Sequence, residues 1–62
     1  MRGRIKFINY SKNYAMLTTP NDGDVFMSLN QIDEVDLKKG DYVEFNPQVS
    51  YQGLIATDVK KI

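Results

Sequence analysis

The large apolar residues of this chain recur mostly at every second position, in short runs broken by turn residues. That period belongs to β-strands with one face buried. Helical spacing fits badly, since every longer window with an apolar stripe at three- and four-residue intervals also contains a Gly, a Pro or a strand-like run. Five short strands are predicted, at residues 3–9, 14–19, 24–29, 42–45 and 54–60. Thr19-Pro20-Asn21-Asp22-Gly23 and Lys38-Lys39-Gly40-Asp41 are turn sequences, residues 30–36 form a loop or short helical turn, and residues 47–53 connect to the last strand. With 62 residues, a chain buries only about 60% of the surface exposed when unfolded. Closure into a barrel is therefore favoured, because it removes sheet edges and lets one thin core serve every strand. The expected fold is all-β, one small five-stranded antiparallel barrel over residues 1–62 as a single domain.

Several chemistries are excluded by what the chain lacks. Without Cys there is no disulfide, thiolate zinc site or thiol nucleophile. Without His the triad chemistries and the commonest general base near neutral pH disappear. No apolar stretch is long enough for a bilayer span and no signal-peptide pattern is present. A soluble cytoplasmic protein, with no membrane partner, is the expectation.

Alternation also assigns faces. Val25, Met27 and Leu29 share one face of the third strand, with Phe26 and Ser28 on the other. In the second, Tyr14 and Met16 lie opposite Ala15 and Leu17. Val43 and Phe45 oppose Tyr42 and Glu44. The aliphatic sets make the better core, which leaves Tyr14 and Phe26 outside on adjacent strands. Exposed rings occur singly on many proteins without consequence. Paired on one face, they can instead form a stacking platform for bases, at roughly 1–3 kcal/mol per stack.

From Lys6 to Leu17 the chain reads Lys-Phe-Ile-Asn-Tyr-Ser-Lys-Asn-Tyr-Ala-Met-Leu. This resembles the cold-shock domain pattern K-W-F-N-x-x-K-G-F-G-F-I. Val25-Phe26-Met27-Ser28-Leu29 resembles that family's V-F-V-H-F, and the spacing between the two segments fits without a gap. Gly40 through Phe45 is similar to its G-x-x-V-x-F strand, and Gly53, Ala56 and Val59 to its closing strand. The resemblance covers nearly the whole chain. It implies a five-stranded oligonucleotide-binding (OB-fold) barrel that binds single-stranded RNA or DNA with low sequence preference, as a nucleic-acid chaperone or a modulator of transcription or translation.

Residue by residue, the resemblance places Phe7 at the family's exposed Trp. Tyr14 and Met16 match the two Phe of the first motif, Phe26 the Phe of the second and Ser28 its His. Lys6 and Lys12 match the flanking basic residues, and Asn9 the family's Asn. Phe7, Tyr14, Phe26 and Met16 would contact bases, Lys6, Lys12 and Arg4 would neutralise phosphates, and Asn9 and Ser28 would hydrogen-bond base edges or sugars. Ile8, Met16, Ser28 and Leu29 stand where the family has aromatic residues or His. At roughly 1–3 kcal/mol per lost stack, this predicts an affinity well below that of a full platform. Asn13 and Ala15 replace two Gly, and Asn accepts a positive φ more readily than most residues. Strict alternation puts Phe7 on the face of Ile5. Ile5 can be in the core with Phe7 outside if the first strand carries a bulge near Lys6.

The formal net charge is zero, from 8 basic and 8 acidic residues, but these are unevenly placed. Residues 1–21 contain Arg2, Arg4, Lys6 and Lys12 and no acid, a balance of +4, and the remainder carries −4. A local, salt-sensitive affinity for phosphate follows. Asp33, Glu34 and Asp36 resemble a metal cluster only superficially. They lack the Gly turn and bidentate Glu of a calcium loop, so no metal, cofactor or catalytic residue is expected. Tyr10 and Tyr51 are expected in loops. The alternative function is a protein-interaction module, since Met, Leu and Ile in place of rings suit apolar protein contact. An enzyme ranks last, because so short a chain hardly allows a pocket. A monomer or weak dimer is expected.

Overall fold

The computed structural model describes residues 1–32 and 37–62. The acidic segment with Asp33, Glu34 and Asp36, considered above as a metal cluster, lies outside the described residues. Five strands and one 3-10 turn are present: β1 (Arg2–Asn9), β2 (Tyr14–Thr19), β3 (Gly23–Ser28), the 3-10 turn Leu29–Gln31, β4 (Tyr42–Ser50) and β5 (Gly53–Lys61). They close into a barrel in the order β1-β2-β3-β5-β4. Four of the five seams are antiparallel, and the β3–β5 seam is parallel, with Phe26 opposite Ile55 and Met27 opposite Ala56. Side-chain alternation carries no information on the direction of that seam.

Local chemistry sets the connections. Between β1 and β2, the Asn9 side-chain carbonyl accepts from Ser11 Oγ (3.2 Å) and from the Lys12 N–H (3.1 Å). Asn13 takes a φ of 61° there, the left-handed geometry that Asn tolerates. Between β2 and β3, Thr19 Oγ1 donates to the Gly23 carbonyl and accepts from the Asp22 N–H. Ser28 caps the 3-10 turn by accepting from the Asn30 N–H at 3.3 Å. The predicted turn at 38–41 is closed by the Asp41 carboxylate accepting from the Lys38 N–H at 2.8 Å and by the Asp41 N–H donating to the Lys38 carbonyl at 3.1 Å.

β4 departs from expectation. It continues through Pro47 to Ser50, so most of the segment read as a connection is strand. Past Phe45 it pairs with β5, and no second strand lies beside it among the described residues. An edge is where a strand tolerates Pro, which is why Pro47 does not end it. The β4–β5 register shifts between Glu44 and Asn46. Asp58 near this irregularity has a φ of 50°.

One core fills the barrel. Ile5, Leu17, Val25, Met27 and Val43 are its largest fully buried side chains, joined by Ala15, Phe45, Ala56, Val59, Ile32 and Leu37. Each large aliphatic or Met side chain contributes roughly 1.5–3 kcal/mol by leaving water. Leu29, expected on the Val25–Met27 face, starts the 3-10 turn and is only partly buried against this core. Gly3 sits where β1 meets β4. A Cβ there would lie 3.2 Å from Phe45 Cε1 and 3.3 Å from the Thr18 carbonyl oxygen, so the barrel closes through a contact that only glycine permits without displacement.

Candidate functional site

The β1 bulge positions the site. The β1–β2 register pairs Ile5 with Leu17 and Phe7 with Met16, so Lys6 has no partner residue and the side-chain phase of β1 shifts by one. Such an extra residue turns the following side chain over. Ile5 is accordingly 2% exposed in the core, while Phe7 is 39% exposed on the outer face. β2 and β3 need no such device. Ala15, Leu17, Val25 and Met27 point inward, and Met16 and Phe26, paired across the strands, point outward.

Two rows of outward side chains cross the sheet. One runs Phe7, Met16, Phe26, and the other Asn9, Tyr14, Ser28. The three rings join these rows into one ridge. Phe7 meets Tyr14 edge-on, with centroids 6.0 Å apart and planes at 83°, and Tyr14 stacks on Phe26 at 5.4 Å and 19°. Such arrangements suit the ring quadrupoles and are worth about 0.5–1.5 kcal/mol each beyond burial. They fix the rings while leaving part of each in solvent. Phe26 remains 40% exposed and Tyr14 is half-buried.

The polar residues have duties in the fold. The Asn9 carbonyl oxygen holds the β1–β2 turn, and the Ser28 hydroxyl oxygen caps the 3-10 turn. Each keeps its donor, an amide or a hydroxyl hydrogen, for a ligand. Lys6 Nζ lies 2.9 Å from Asp24 Oδ2 in an exposed pair. Pairs of this kind are worth about 0–1 kcal/mol and exchange readily. Lys12 sits in the exposed β1–β2 turn, beside the ridge. Arg4 is also outward but reaches toward β4, its guanidinium 5.6 Å from the centroid of the Tyr42 ring.

Folding also changes the charge picture drawn from segment sums. Arg2 pairs with Glu44 at 3.5 Å and Lys6 with Asp24, so two of the four N-terminal cations meet acids from the second part of the chain. The structure thus brings together Lys6, Phe7, Asn9, Tyr14, Met16, Phe26 and Ser28 on one face, with Lys12 in the adjoining turn, and leaves Arg4 apart. Tyr51 is fully exposed in the turn between β4 and β5. Ile55 was not foreseen as a neighbour. It lies opposite Phe26 through the parallel β3–β5 seam and extends the first row onto β5. Its outward phase beside buried Ala56 was readable from alternation, but its place next to Phe26 was not.

Among the described residues, no group of three His, Cys, Asp or Glu side chains could hold a metal, and no helix is long and apolar enough to cross a membrane. No family model matches the sequence. A cold shock-like protein of Thermotoga maritima (strain MSB8) is 35% identical over an alignment of 65 positions that covers 100% of this chain and 98% of that protein. This likeness over the full length, on a closed five-stranded barrel with the outward ridge described above, shows that the chain belongs to the cold-shock domain family.

Proposed function

We propose that this protein binds single-stranded RNA or DNA across the outer face of β1–β3, with low sequence preference. One observation carries this reading: Phe7, Tyr14 and Phe26 form a continuous, partly exposed ridge of rings on adjacent strands. Every base has a π-face, so a ridge of rings accepts bases without demanding a sequence. Met16, between Phe7 and Phe26 in the same row, adds a soft, polarisable contact. Lys6 and Lys12 neutralise the backbone, and Asn9 and Ser28 donate to sugars or base edges. The protein acts without covalent chemistry, as a cytoplasmic monomer or weak dimer that melts structure in RNA or modulates its use in transcription or translation.

Amide shifts on titration with a pyrimidine-rich single strand, at low and moderate salt, test this. Lys6–Asn9, Lys12–Met16 and Val25–Ser28 are expected to shift, and binding is expected to weaken as salt rises. An absence of shifts at low salt and high oligonucleotide concentration would sink the reading. It would also promote a second one, a protein partner on the same face, which the apolar row Phe7–Met16–Phe26–Ile55 favours.

A further inference from the structure

Beside Phe7, on the side away from Tyr14's strand, the surface opens into a cleft of about 410 Å³ lined by Phe7, Ile8, Tyr10, Leu37, Lys38 and Lys39. Four apolar or aromatic side chains form its walls and two ammonium groups supply its charge. The cleft is a fixed feature of the barrel. The Tyr10 hydroxyl donates to the Leu37 carbonyl at 2.9 Å, tying the end of β1 to the opposite wall. Ile5 and the 40–41 segment exchange two backbone hydrogen bonds, Ile5 N–H to the Asp41 carbonyl at 2.9 Å and Gly40 N–H to the Ile5 carbonyl at 2.8 Å. Leu37 is buried in the core at 5% exposure. Lys38 and Lys39 therefore stand on a turn that is hydrogen-bonded within itself and to β1. The Asp41 carboxylate closes that turn and is held below the usual aspartate range by the Lys38 N–H, with a smaller contribution from Lys61, 3.5 Å away.

From this geometry we infer that the cleft is a further nucleotide subsite, in which a base enters beside Phe7 and Tyr10 and its flanking phosphates meet Lys38 and Lys39. The inference rests on the proposed nucleic-acid reading and extends it past Phe7, off the three-stranded face. Apolar walls with cations at the rim match the two halves of a nucleotide, a π-face and an anion. The site is continuous with the ring ridge, because Phe7 belongs to both. It also uses two of the four cations in the otherwise acidic part of the chain.

The test is an oligothymidine titration of the wild type, of Lys38→Ser/Lys39→Ser, and of a control, Arg2→Ser/Lys60→Ser. The control removes the same charge at two positions paired with Glu44, on other strands. Amides of Ile8, Tyr10, Leu37 and Lys38 are expected to shift along with those of the ridge. For single strands each phosphate contact adds roughly 0.7 to the salt slope, so the Lys38/Lys39 variant should lose about 1.4. Across a fourfold rise in salt this makes the wild type lose about sevenfold more affinity than that variant. The control is expected to keep the wild-type slope. Ridge shifts without cleft shifts, or equal slope losses in both variants, would overturn the subsite and leave the ridge reading standing. No shifts anywhere would overturn both.

Discussion

Replacing Phe26 by Ala tests the ridge most directly. Phe26 is 40% exposed and stacks on Tyr14 at 5.4 Å. The covered part of the side chain accounts for about 1–2 kcal/mol of burial, and the stack for about 0.5–1.5 kcal/mol more. A domain of this length has a stability of roughly 3–9 kcal/mol, so the variant is destabilised but keeps its barrel in the cold, near the stability maximum of about 10–20 °C. Binding has a different dependence. The loss of one base–ring stack is worth roughly 1–3 kcal/mol, a rise in Kd of about 5- to 150-fold. Phe26→Leu separates the two effects, since it keeps apolar bulk beside Tyr14 but offers no π-face. Its melting temperature is expected to lie well above that of the Ala variant while its Kd for a pyrimidine-rich strand rises nearly as far. The assay pairs a thermal melt with a titration followed by amide shifts at about 15 °C. Wild-type Kd in both variants would refute the platform. Collapse of both variants would refute the outward placement of Phe26.

Asp24→Asn is expected to tighten oligonucleotide binding a few-fold at low salt, because Asp24 competes with phosphate for Lys6; an affinity unchanged at low salt would show that Lys6 takes no part. Gly3→Ala places a Cβ against Phe45 and the Thr18 carbonyl and is expected to cost about 1–3 kcal/mol, read as a lowered melting temperature with the barrel's circular dichroism intact. Asp41 is held ionised in the fold by the Lys38 N–H and Lys61. Its contribution is therefore fully present above the ordinary aspartate pKa of about 3.9 and is lost as pH falls through the lower folded value. Asp41→Asn should melt below the wild type at neutral pH, with the gap closing in acid; a gap independent of pH would contradict this.

How far the sequence revealed the molecule depends on the range of the physics involved. Alternation is local, so β2 was predicted with its observed bounds, and Ala15, Leu17, Val25 and Met27 were assigned inward as found. The turn at 19–23 follows from Pro, Asn, Asp and Gly in sequence, and Asn13 carries the left-handed φ its residue type allows. Opposite placement of Ile5 and Phe7 demanded a bulge, and the bulge is there. Seams between distant strands have no such local mark. The parallel β3–β5 pairing, which sets Ile55 beside Phe26, is invisible to a period-two reading. So is the strand character of residues 47–50, where Pro argued for a break and an unpaired edge permitted continuation. Charge sums also misled in part, because Asp24 and Glu44 reach Lys6 and Arg2 only through strand pairing.

Barrel closure also orders events in time. β1 and β2 are joined by a four-residue turn, whereas β1 meets β4 with Gly3 opposite Val43. Bringing together ends about tenfold farther apart costs roughly 2 kcal/mol more in loop entropy. The β1–β2–β3 meander is therefore a natural early structure, and its seams to β4 and β5 form late. All three rings and Met16 lie on that meander. The β4–β5 hairpin, joined by two residues, is as local. The face proposed to hold nucleic acid is thus assembled from an early-formed part of the chain, and the slow step of folding is the one that joins the two hairpin units and seals the core behind that face.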